Sequence, residues 1–122
     1  MKFSLSDDAD IVINSYEKGG FRVSGRQLSG SQLLFSHQPP QNWPVESVDS
    51  LQASDFQPIL SSHMQTVIVG TGEKQRFPPD EILLAFFAAG IGVEIMDTAA
   101  ACRTFNVLVA EGREVCAALI AI

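Results

Sequence analysis

Positive charge is scarce in this sequence. Its 122 residues carry 8 Lys plus Arg against 14 Asp plus Glu, a formal net charge of −6. The basic residues are scattered and form no run. A nucleic-acid surface needs clustered cations to neutralise phosphates, so no nucleic-acid partner is expected. The same shortage argues against a direct hold on an anionic membrane. Long apolar runs are missing too. None approaches the ~20 residues of a membrane-spanning helix, and the tail VCAALIAI reads as a core strand. The opening MKFSLSDDAD lacks the apolar segment of a secretory signal and turns acidic at once. Cysteine is limited to Cys102 and Cys116, without CxxC spacing. Both sit in apolar surroundings and read as reduced, buried thiols of a cytoplasmic protein. His37 and His63 are far apart, with no carboxylate or cysteine at ligand spacing, so no metal site is expected. There is no GxSxG, and neither Cys has a His close in sequence; no catalytic residue and no cofactor is assigned.

What is present is globular. Hydrophobic residues make up 46% and charged ones 18%, and no linker divides the chain, so residues 1–122 are expected to form one domain. The first half is turn-rich. Ile11 to Glu17 and Phe21 to Ser24 read as strands joined at Lys18-Gly19-Gly20. Short runs at Arg26 to Leu28 and Gln32 to Ser36 flank Ser29-Gly30-Ser31. Together they predict a meander of short strands. HQPPQNWPVES reads as a proline-rich loop carrying the only Trp, Trp43. SLQASDFQPIL allows a short helical turn with Ser54 or Asp55 as its cap.

The second half alternates. Thr66 to Val69 predicts a buried strand and Pro79 to Ala89 a helix, with Asp80 and Glu81 at its positive end and Gly90 as its stop. The helix body ILLAFFAA is apolar nearly all round, so it is expected to be covered on more than one side. Gly92 to Met96 is the next strand. Asp97 or Thr98 caps a helix running to about Ala110, with Ala101, Cys102, Phe105, Leu108 and Val109 on one face. The last strand is about Arg113 to Ile120. This order predicts an α/β fold, and by spacing alone it makes the late strands parallel.

Two stretches carry candidate chemistry. VIVGTGEKQRFPPDE has the outline of a phosphate loop but fails the pattern. It lacks the GxxxxGK-Ser/Thr spacing and the third glycine of a dinucleotide fingerprint, and Pro78 and Pro79 remove two amides. Gly70 and Gly72 then serve a sharp turn. The loop still lies at a strand's carboxyl end, where ligands of open α/β sheets bind, and Lys74 and Arg76 add positive charge there. A small anion or a partner's carboxylate is the ligand it suits. In the second stretch, Glu94 stands in an apolar strand. A carboxylate there is costly unless paired, and Arg103 and Arg113 are the natural partners. One reading is a structural ion-pair cluster. The other is a polar pocket at the strand ends, formed with Asp97, Thr98, Thr104 and Asn106; with the loop, the candidate ligand-binding residues are then Gly70, Thr71, Gly72, Lys74, Arg76, Thr98, Arg103 and Asn106.

Over nearly its whole length the chain resembles a known family. GTG after an apolar strand, then FPP, then GIGVEIMDTAAACRTFNVLVAEGREVCAAL, together with INSYEKGGFRVSG and Trp43-Pro44, is similar to the Mth938-like domain, also called DUF498. Glu94, Met96, Asp97, Thr98, Ala101, Arg103, Thr104, Asn106, Leu108, Glu111 and Arg113 form its most specific block. Phe105 stands where the family often has Tyr, which removes a hydroxyl from any pocket there. The resemblance implies a three-layer fold: a β-meander layer and a central mixed five-stranded sheet between helices, one of whose strands runs antiparallel. A eukaryotic branch of the family is a mitochondrial assembly factor for respiratory complex I. The resemblance, with the lack of a nucleophile, metal or nucleotide motif, points to a non-enzymatic protein-binding module, with a protein partner and peripheral association through a membrane complex; because interfaces favour aromatics, exposed apolar residues around Phe35 to Trp43 are its expected contact surface. The alternative is a small-ligand or anion-binding protein, or a weak enzyme, with the pocket just described.

Overall fold

The computed structural model describes residues 11–122; the reading of the opening ten lies outside them. Strands β1 (Ile13–Glu17), β2 (Gly20–Val23) and β3 (Arg26–Ser29) form an antiparallel three-stranded meander. The fourth predicted run does not continue it. As β4 (Gln32–Phe35), it is buried at every position and crosses into a second sheet. Leu33, Leu34 and Phe35 are consecutive apolar residues, so this strand needs cover on both faces, which only a central position provides.

The second sheet has the order β5-β4-β8-β6-β7. Its other members are β5 (Gln38–Asn42), β6 (Thr66–Gly70), β7 (Gly92–Met96) and β8 (Val115–Leu119). β6 pairs in parallel with both β7 and β8, as the spacing predicts. β4 runs antiparallel to β5 and to β8, so it alone opposes the rest. The expectation of parallel late strands and that of one antiparallel strand therefore both hold, because the reversed strand comes from the first half. β5 is a correction: the segment with Pro39 and Pro40 is a strand, not a loop. It is an edge strand, where a missing amide costs nothing on the open side.

The sheet separates two cores. On one side lies α3 (Thr98–Ala110), with Ala101, Cys102, Phe105 and Val109 buried against Leu34, Ile68 and Leu119 and against Phe21 and Val23 of the meander. On the other side lie α1 (Gln57–Leu60), α2 (Asp80–Ala88) and two 3-10 turns at Val48–Ser50 and Ala53–Phe56. Here Trp43 donates from Nε1 to the Asp55 carbonyl at 2.8 Å. Its ring meets Phe56 edge-on at 5.3 Å, and Phe56 meets Phe86 of α2 at 5.1 Å. This aromatic chain fastens α2 to the loop region. Asp55 is not the cap of its turn; its Oδ2 accepts from the Gln52 amide at 2.8 Å, one turn back.

The two cysteines are buried free thiols on opposite sides of the sheet. Burial pushes both up to about 12, the effect on Cys102 being slightly offset by Arg103. α2 departs from expectation. Only Ile82 and Phe86 are buried, while Leu84 is 65% and Phe87 83% exposed. Within the described chain this helix is covered on one side only.

Candidate functional site

Three segments meet at the carboxyl end of β6: the Gly70-Thr71-Gly72 turn, the first turn of α3 and the end of β8. Thr98 joins them. Its hydroxyl donates to the Ile120 carbonyl at 2.7 Å and accepts from the Gly72 amide at 2.8 Å. Its own amide donates to the Gly72 carbonyl at 2.9 Å, and the Ile120 amide donates to the Gly70 carbonyl at 2.9 Å. Both glycines are needed. A Cβ on Gly70 would lie 3.0 Å from Leu119 Cδ2 and 3.0 Å from Thr98 Oγ1, while Gly72 has φ +103°. Thr71 closes the turn. Its hydroxyl donates to the Lys74 carbonyl at 2.7 Å and accepts from the Arg76 amide at 3.1 Å.

These contacts leave little for an anion. The start of α3 beside the turn is filled by its own cap: Asp97 Oδ1 accepts from the Ala100 amide at 2.8 Å. A carboxylate already stands where an anion would sit. Arg76 is held by Asp49, with Nη2 at 2.8 and 2.9 Å from the two carboxylate oxygens, on the exposed surface. Lys74 is exposed. Glycines and threonines of the candidate set thus come together as a clasp, with the two cations outside it.

Arg103 and Asn106 point elsewhere. Asn106 grips β1 with both ends of its amide: Oδ1 accepts from the Ile13 amide and Nδ2 donates to the Ile13 carbonyl, each at 2.9 Å. Arg103 Nη1 donates to the Tyr16 hydroxyl at 3.4 Å. Asn106 lies two turns along α3 from Thr98, about 12 Å at the helical rise, so these side chains do not line one pocket with the glycine turn. The expected ion pairs of Glu94 with Arg103 or Arg113 do not form among the described residues, where the pair found is Arg76–Asp49. Glu94, Arg103 and Arg113 are all exposed. β7 is the sheet's edge, so Glu94 reaches water without a partner. The expected contact surface is corrected as well: Phe35 and Trp43 are core residues.

Two features escaped the sequence reading. One is an open cleft of about 430 Å³ beside the carboxyl end of β8, at the same end of the sheet as the glycine turn, lined by Gly19, Gly30, Ser31, Trp43, Glu46 and Ala121 among others. The Ser31 hydroxyl there already accepts from the Ala121 amide. The other is the bare face of α2. Asp80, Glu81, Leu84, Phe87 and Ala88 are all exposed and share one helical stripe, and Phe77 in the preceding loop is 72% exposed. The all-round apolar character of ILLAFFAA was the signal for it.

A meander and a helix on one face of a mixed five-stranded sheet, with short helices on the other, define an α/β domain of the Mth938-like kind. The comparisons with known proteins agree. The chain belongs to the family described as "Protein of unknown function (DUF498/DUF598)", whose model matches residues 13–120. It is 37% identical over 112 residues to human "NADH dehydrogenase [ubiquinone] 1 alpha subcomplex assembly factor 3", covering 90% of this chain and 60% of that one. The chain thus spans about 60% of the length of this curated relative. It is 32% identical over 108 residues to the "13 kDa major membrane protein" of Francisella tularensis, covering 88% of each. A solved Mth938-like domain from Bordetella pertussis superposes with a TM-score of 0.77 at 28% identity, covering 89% of this chain and 84% of that one.

Proposed function

We propose that this chain is a non-enzymatic protein-binding module that assists assembly of a membrane respiratory complex from its cytoplasmic side. The observation that carries this reading is where the domain's unused binding capacity lies. The polar groups of the strand-end turn are spent on one another, and among the described residues no buried side-chain nitrogen or oxygen lacks a partner. What stays unspent is apolar helical surface, which suits a protein partner. The relatives named for assembly of NADH dehydrogenase support the kind of partner, and the relative named as a membrane protein supports its place. No helix of the described residues is long and apolar enough to cross a membrane, so association through a partner fits better than insertion. The test is deletion of the gene in its native host, followed by native-gel quantification of the assembled NADH:quinone oxidoreductase. Loss of the assembled complex with its subunits still synthesised is expected. An unchanged amount of complex overturns the assembly role.

A further inference from the structure

We infer that the exposed face of α2 is the docking surface, and that its occupant is a short amphipathic helix of the partner, antiparallel to α2, with Lys or Arg in its last turn. This rests on the protein-binding reading above. Leu84 and Phe87 lie one turn apart on the bare stripe, and Phe77 stands in the loop that feeds it. At roughly 200 Å² per large side chain the three expose on the order of 400 Å², the size of the largest apolar patch on a typical monomer, which is often functional.

Charge selects the occupant. Asp80 and Glu81 are exposed one turn before Leu84 on the same stripe, in a protein of net charge −6. An anionic lipid surface is repelled by them. A second copy of this chain fits no better. Parallel α2 helices would set these carboxylates against their own kind, and antiparallel ones would bring them no cation, because the last turn of α2 carries no basic residue. Strand addition beside α2 is also hindered, because Gln75 Nε2 already donates to the Ile95 carbonyl of edge strand β7 at 3.0 Å. A foreign helix with apolar residues at i, i+3 and i+7 meets Leu84 and Phe87. If it runs antiparallel, its cationic last turn falls beside Asp80 and Glu81, and the two helix dipoles oppose favourably.

The probe is a synthetic helical peptide with Leu and Phe at those spacings and Lys or Arg in its last turn, titrated into isotopically labelled protein. Amide shifts confined to residues 77–91 are expected. Phe87→Ala, and a peptide with Glu in place of the cations, should each weaken binding by about tenfold or more. Equal affinity for both peptides, or shifts centred elsewhere, overturns the inference. So does a concentration-dependent dimer abolished by Leu84→Ser, which would assign the face to a second copy. Flotation with phosphatidylglycerol vesicles that Leu84→Ser abolishes would overturn it in favour of lipid. In the deletion strain, a Leu84→Ser/Phe87→Ser double variant should fail to restore the complex. Full restoration overturns this surface while leaving the assembly role standing; a deletion without effect removes the role itself.

Discussion

The two sides of the central sheet are equally buried inside and unlike outside. On the α3 side every layer is tied to the next: Asn106 grips β1, Thr98 clasps the glycine turn to β8, and the meander shares the core with α3. On the α2 side the interior is as tightly closed, with Phe56 and Phe86 fully buried, yet the helix that closes it turns Leu84 and Phe87 to solvent. Both helices were apolar enough to need cover. Among the described residues α3 leaves one large apolar side chain in solvent, Val107 at 55%, whereas α2 leaves two larger and more exposed ones, so the α2 side is complete as a core and less finished as a surface.

The comparison breaks most easily in the interior. Phe105→Ala on one side and Phe86→Ala on the other should each cost about 4 kcal/mol, measured by denaturant unfolding. A loss at Phe86 far below that at Phe105 would mean that the α2 layer is loosely packed, and the symmetry of the two cores would fail. Thr98→Val should come next. It keeps the shape but strands the Gly72 amide and the Ile120 carbonyl, at about 3 kcal/mol. Asn106→Ala removes both bonds to Ile13 and should cost about 2 kcal/mol. Hydrogen exchange should quicken in β1 before it does in β6. Uniform quickening would show that Asn106 is not a local clamp.

Element types were legible because they rest on local patterns: the face of α3, the Asp97 cap and the parallel late strands all follow from spacing within a few residues. What was not legible depends on position in the sheet. β5 was hidden because two prolines exclude a central strand, and nothing in QPPQN announces an edge. Glu94 looked costly because its neighbours are apolar, but an edge strand lets it reach water. Asn106 was read toward the pocket because its partner, Ile13, is 93 residues away in sequence. The glycine turn was recognised and its amides were weighed as donors to an anion. Capture of the Gly72 amide by the Thr98 hydroxyl and of the Thr71 amide by the Met96 carbonyl depends on which strand ends lie side by side.

The thiols test whether both interiors are equally dry, since Cys102 belongs to one core and Cys116 to the other. Each is raised in the fold from 9.0 to about 12. Between those values the unfolded chain loses a proton that the folded chain keeps. The thiols' contribution is therefore intact below pH 9 and falls as pH rises toward 12. The slope approaches about 1.4 kcal/mol per pH unit for each thiol. Cys102→Ala and Cys116→Ala should each remove half of this slope. A slope that vanishes with one substitution alone would show that only one core excludes water.

The smallest effects belong to the outer surface. Leu84→Ala and Phe87→Ala should change unfolding free energy by no more than about 0.5 kcal/mol, and so should Glu94→Ala and Arg103→Ala. For the second pair, the reason is exposure without an ion pair. For the first, it is that these side chains lose almost nothing that folding had hidden. A cost of about 2 kcal/mol at Phe87 would place that ring against the chain itself and dissolve the contrast between the two sides. A near-zero cost joined to lost peptide binding sharpens it. An apolar ring that contributes nothing to folding, yet is required for binding, is packed against the partner.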